Sequence, residues 1–142
     1  MHYFARGLTQ HSRRNYDTAI ADLTEAIKLD AYHADAYYIR GLAHHRKGSL
    51  DAAVADYDRA LEIVPPTTKA FAARGATRLA QGKVADAIAD LNEAVKANPK
   101  SAASYEGLGD AYARAGDTGQ ARDAWDKALS LASEAESKSR LK

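Results

Sequence analysis

The sequence predicts an all-α solenoid of four helix–turn–helix units, each 34 residues long. Three observations carry that reading. The first is a set of columns repeated without insertion: Gly7, Gly41, Gly75 and Gly109 are evenly spaced, since 41 − 7, 75 − 41 and 109 − 75 all equal 34. The same shift relates Ala19, Ala53, Ala87 and Ala121, then Ala26, Ala60, Ala94 and Ala128, and the aromatics Tyr3, Tyr37, Phe71 and Tyr105. The second is helical spacing inside one unit. Tyr37, Arg40, Gly41 and His44 fall at i, i+3, i+4 and i+7; Ala53, Tyr57, Ala60 and Leu61 fall at i, i+4, i+7 and i+8. The third is punctuation: Gly48–Ser49 separates the two stripes and Pro65–Pro66 stops the second.

Over roughly residues 1 to 135, these columns resemble the tetratricopeptide repeat family, whose pattern sets an aromatic, a glycine, two alanines and a closing proline at such offsets. The resemblance implies a right-handed solenoid in which the first helix of each unit lines a concave surface. It also implies a scaffold that binds other proteins and has no enzymatic activity. The units fall at about 1–33, 34–67, 68–101 and 102–135 of one domain, with a polar tail at 136–142.

Taken in order, the first unit has helices at about 1–13 and 17–29, joined by Arg14–Asn15 where the other units have Gly48, Gly82 and Gly116. A left-handed residue suits this turn. It is free for glycine and mildly unfavourable for Arg14 unless Asn15 adopts it. Asn15, Ser49 and Asp117 precede the second helices as N-cap candidates, with Lys83 the exception. Ala36, Ala70 and Ser104 form a small-residue column expected to pack on the preceding helix. His2 holds that place in the first unit and reads as the polar outer face of the array's start. The second and third units end at Val64–Pro65 and Asn98–Pro99. The fourth departs: Trp125 replaces Leu23, Tyr57 and Leu91, Leu108 replaces an arginine, and Ser133 stands where a proline would. Its tail is expected to prolong the last helix by a turn or two.

Composition excludes several function classes. The formal net charge is +1 with both signs interspersed, so no field draws in nucleic acid or anionic lipid. Without cysteine there is no disulfide or thiol chemistry. The glycines mostly recur at the repeat period, which leaves no phosphate-cradling loop, and no cofactor is expected. No apolar run is long enough to insert into a bilayer, and the stretch MHYFARG lacks the apolar core of a signal peptide, which points to the cytoplasm. The candidate metal ligands are His2, His11, His33, His44 and His45. His11 and His45 share a column completed by Leu79 and Ala113, well short of the roughly four ligands of a closed site, so no metal is expected.

The resemblance implies a groove whose columns read Phe4, Tyr38, Ala72, Glu106; Leu8, Leu42, Ala76, Asp110; His11, His45, Leu79, Ala113; and Ser12, Arg46, Ala80, Arg114. Family members that grip the carboxylate end of chaperone tails use lysine, asparagine and arginine in the first two columns and nearby. Here Phe4, Leu8, Tyr38 and Leu42 stand there, expected as an apolar strip edged by His11, His45 and Arg46. The partner implied is an apolar peptide or helix. The alternative is a self-assembling scaffold with no peptide ligand, associating weakly through the C-terminal end at Trp125 and Leu129. One further pattern concerns stability. Arg6, Arg40 and Arg74 each precede Asp22, Asp56 and Asp90 by 16, while the fourth unit replaces both partners by Leu108 and Ala124. Joint loss and joint presence predict ion pairs between helices.

Overall fold

The computed structural model describes residues 2–64 and 68–140. Among the described residues eight helices follow in order: α1 (Tyr3–Ser12), α2 (Tyr16–Leu29), α3 (Ala34–Lys47), α4 (Leu50–Ile63), α5 (Thr68–Ala80), α6 (Val84–Ala97), α7 (Ala102–Arg114) and α8 (Thr118–Arg140). They form four hairpins, α1–α2, α3–α4, α5–α6 and α7–α8. Successive hairpins pack through α2 on α3, α4 on α5 and α6 on α7. The first helices are also neighbours, α1 with α3, α3 with α5 and α5 with α7, so they form one layer of the solenoid.

Alternating small and large residues close each hairpin. Ala19, Ala53 and Ala87 are fully buried, and a large residue of the second helix lies directly over the repeat glycine of the first. A Cβ built on Gly41 would sit 2.5 Å from Tyr57 Cε1, and one on Gly75 2.8 Å from Leu91 Cγ. Any side chain at these glycines would push the helices apart. Between hairpins, Ala36, Ala70 and Ser104 are buried as the small-residue column requires.

The turn inside each hairpin is the same device four times. One residue of the turn donates its N–H three residues back, and the next residue donates five back: Gly48 to His45 and Ser49 to His44, Gly82 to Leu79 and Lys83 to Arg78. These are Schellman turns, which need a left-handed residue. Gly48, Gly82 and Gly116 supply it, and in the first unit Arg14 itself takes φ 64°. Asn15, which the sequence offered as relief, stays at φ −88°. The capping expectation also needs correction. Asn15 and Ser49 make no side-chain cap, and Asn15 Nδ2 donates instead to Gln10 Oε1. Asp117 does cap, accepting from the Gln120 N–H. Lys83 holds nearly the same backbone angles as Asn15 and Ser49, so the turn's own hydrogen bonds suffice to set this helix start. True side-chain caps occur at the other turns, where His33 Nδ1 accepts from Ala36 and Ser101 Oγ from Ser104. Pro65 and Pro66, read as the stop of α4, lie outside the described residues.

The paired columns form ion pairs. Arg6, Arg40 and Arg74 each grip both carboxylate oxygens of Asp22, Asp56 and Asp90, at 2.7–3.0 Å. The arginines of the first two junctions also reach backwards: Arg40 Nη1 donates to Thr24 Oγ1 and Arg74 Nη1 to Asp58 Oδ1. In the fourth unit Leu108 and Ala124 fill the corresponding space and are buried. The tail does prolong the last helix: α8 runs for 23 residues where α2, α4 and α6 have 14. Trp125 folds back over Gly109 and donates Nε1–H to Asp110 Oδ1 at 3.1 Å.

Candidate functional site

The layer of first helices carries the residues singled out for binding, and the structure divides them into three groups. Leu42, His45 and Arg46 of α3 line one open cavity of ≈ 280 Å³, closed below by Tyr57 of α4 and laterally by Ala73 and Ala76 of α5. The cavity follows from the repeat. Shifting by 34 turns Leu42 into Ala76 and Arg46 into Ala80, so the floor steps down from α3 to α5.

Tyr38 borders a second cavity of ≈ 370 Å³, with Tyr32, His33, Val64 and Lys69 among its lining residues. Its ring lies 6.1 Å from that of Tyr57, and the Lys69 ammonium sits 4.9 Å above it. Phe4, Leu8 and His11 stay on α1. Phe4 stacks on His33 at 4.4 Å and packs against the buried cluster of Ala19, Leu23, Ala26 and Ala36. Leu8 is half-buried. His11 sets its ring edge-on to Tyr16, with Nε2 buried and without a hydrogen-bond partner among the described residues.

His45 is held by Thr77. Its Nδ1 lies 2.6 Å from Thr77 Oγ1, and the same hydroxyl lies 2.9 Å from the Ala73 carbonyl. The single hydroxyl proton serves one of these two contacts at a time, so the His45 tautomer follows that proton. Beside it the Arg46 guanidinium is exposed and donates only. The site therefore offers an apolar lining, a polar imidazole and one cation. Burial pushes the Tyr38 and Tyr57 phenols up, so both remain neutral donors at ordinary pH. Reading columns one helix at a time missed Tyr57 and Thr77, the two groups that support this cavity from beneath. Their signal was size and polarity: Tyr57 is the bulkiest member of its column in the first three units, and Thr77 is polar between Ala43 and Ala111 of the neighbouring units, in a column that begins with Thr9.

Three half-buried histidines should make stability depend on pH. Burial lowers the pKa of His11, His44 and His45, with Arg46 adding to the effect at His11 and His45 and Asp56 opposing it at His44. Below the usual histidine value of about 6.5, the unfolded chain then binds more protons than the folded one. The stability that these histidines confer by staying neutral is complete above that value and declines as pH falls toward the folded-state pKa values. Urea midpoints should fall between about pH 7.5 and about pH 5.5, a window above most carboxylate titration. The His11→Gln/His45→Gln variant should show a shallower fall; an unchanged slope would assign the acid sensitivity elsewhere.

The tetratricopeptide repeat profile matches residues 4–66 and 73–136. No curated protein matches the chain. Among solved structures, the crystal structure of MamA is similar over 95% of this chain and 79% of that one, with TM-score 0.89 and 24% identity. MamA 41-end from Desulfovibrio magneticus RS-1 is similar over 93% of this chain and 75% of that one, with TM-score 0.86 and 18% identity. The first TPR of Spaghetti, bound to HSP90 peptide SRMEEVD, is similar over 80% of this chain and 90% of that one, with TM-score 0.78 and 24% identity. At these identities the likeness is one of fold. With four like hairpins and a profile matching most of the sequence, this chain belongs to the tetratricopeptide repeat family.

Proposed function

We propose that this chain is a non-catalytic interaction scaffold whose groove takes an apolar segment of a partner protein, with an acidic group beside it. The observation that carries this reading is the open cavity between α3 and α5. Its apolar lining is Leu42, Tyr57, Ala73 and Ala76, and its polar lining is His45 and Arg46. A large apolar side chain inserted there removes exposed hydrocarbon from water, while Arg46 accepts a carboxylate at the edge. The similar fold bound to an HSP90 peptide supports a peptide ligand in general terms. The ligand proposed here differs in kind, because Phe4, Leu8, Tyr38 and Leu42 stand where a carboxylate clamp needs polar and basic groups. Recognition then rests mainly on burial and is only modestly weakened by salt.

Selection from a random peptide library on the wild-type chain tests this reading. The enriched sequences should share a bulky apolar residue with aspartate or glutamate nearby. Leu42→Glu should weaken them by roughly thirtyfold, the equivalent of about 2 kcal/mol for one lost buried side chain. If Leu42→Glu and Tyr38→Glu both bind the selected peptides at full strength, this groove is the wrong surface.

A further inference from the structure

The two ends of the solenoid are complementary, and the inner junctions show how. At each inner junction a large residue of the second helix is covered by the first helix of the next unit. Leu23, Tyr57 and Leu91 are at most 2% exposed, but Trp125, in the same column of α8, is 38% exposed. Ile27 and Val95 pack into the inner cores, whereas Leu129 in their column is 68% exposed. The other end is short of the same contacts from the opposite side. Ala43, Thr77 and Ala111, each with a hairpin before it, are fully buried, while Thr9 in that column of α1 is exposed. A concavity of ≈ 340 Å³, lined by His2, Tyr3, Ala5, Arg6 and Thr9, marks the uncovered face.

Charge matches the same register. Where Arg40 and Arg74 enter a junction, Thr24 and Asp58 await them on the preceding helix, and the spacing is 16 in both cases. At the third junction the arginine is replaced by Leu108, and the waiting residue is Asn92. The corresponding residue of α8 is Asp126, exposed and anionic. Arg6, the corresponding residue of α1, has a side chain 57% exposed, against 19% for Arg40 and 18% for Arg74. Its Nε and Nη2 hold Asp22, and Nη1 is the atom that reaches across the first two junctions.

We propose that copies of this chain join head to tail, the α8 face around Trp125 and Leu129 of one copy docking on the α1 face around Ala5, Arg6 and Thr9 of the next. Trp125 then meets the next copy's Ala5, as Leu91 meets Gly107 within the chain, and Asp126 meets the next copy's Arg6. The contact is heterologous, and each added copy exposes the same two faces, so assembly continues past the dimer. It uses the ends and leaves the groove between α3 and α5 open.

Sedimentation of the whole chain over a wide concentration range tests this with two surface variants. Leu129→Arg blocks the α8 face and Thr9→Arg the α1 face; both positions are exposed, and circular dichroism checks that each variant folds. The mean mass of the wild type should rise past that of a dimer, each variant alone should stay monomeric, and an equimolar mixture should stop at a 1:1 complex. The groove variant Leu42→Glu should assemble like the wild type, which separates this outcome from any failure of the groove reading. A wild type that stays monomeric into the millimolar range would overturn the proposal. So would a Thr9→Arg variant that still dimerises, since two α8 faces would then be pairing symmetrically, or a Leu129→Arg variant that still forms chains.

Discussion

Replacing Asp56 by alanine should cost about 3 kcal/mol of stability, and adding Arg40→Leu to the same chain should restore most of it. Arg40 donates from Nε and Nη2 to the two oxygens of Asp56 at 2.8 and 2.7 Å. Its side chain is 19% exposed. Without Asp56 the guanidinium is held between α3 and α4 with Thr24 as its remaining hydrogen-bond partner. The fourth unit is the apolar version of this arrangement: Leu108 and Ala124 occupy the two positions and are buried without any charge. Urea unfolding of the two single variants and the double variant completes the cycle. Losses that simply add would mean that the two side chains act independently, against the pairing described here. The Arg6–Asp22 pair should respond less, because Arg6 is far more exposed.

Gly41→Ala should be the next most damaging change, with a net loss of up to about 2 kcal/mol. Alanine is favoured over glycine in a helix by about 1 kcal/mol, so the change would stabilise α3 if the site were open. It is not open: the added Cβ would lie 2.5 Å from Tyr57 Cε1. Tyr57 is fully buried, and overpacking a rigid ring costs about 1–3 kcal/mol, backbone shifts included. Gly109→Ala presents an even shorter approach, 2.2 Å to Trp125, and should nevertheless cost less. Trp125 is partly exposed and can swing outward, giving up its bond to Asp110. Thermal unfolding should therefore drop further for Gly41→Ala than for Gly109→Ala. The reverse order would show that Tyr57 has more room than its burial indicates.

Much of this molecule was legible in one dimension because a solenoid repeats its environments. Each hairpin meets the next in the same way, so a packing position recurs every 34 residues and constrains its residue type every time. That recurrence located the eight helices, the glycines beneath large side chains and the buried small residues at the junctions. The ion pairs were legible for a related reason. A buried arginine without its aspartate is costly, so the two appear together three times and disappear together once.

What only the tertiary structure decided are the places where a side chain has more than one partner within reach. Column position says which helix face a residue occupies; it does not say where the chain points from there. Asn15 and Ser49 have the right chemistry for a cap, but the Schellman turn already sets the backbone, and Lys83 stands in the same geometry without capping. Arg14 rather than Asn15 takes the left-handed conformation, because the turn's hydrogen bonds select the residue by its place in the turn. His11 and His45 share a column and differ in fate: one lies against Tyr16 with a buried nitrogen, the other is locked by Thr77 from the following unit. The cavity beside His45 exists because α3, α4 and α5 contribute to it together. Repetition along the chain determined the scaffold, and the meeting of three helices, which no single column records, determined the shape of the groove.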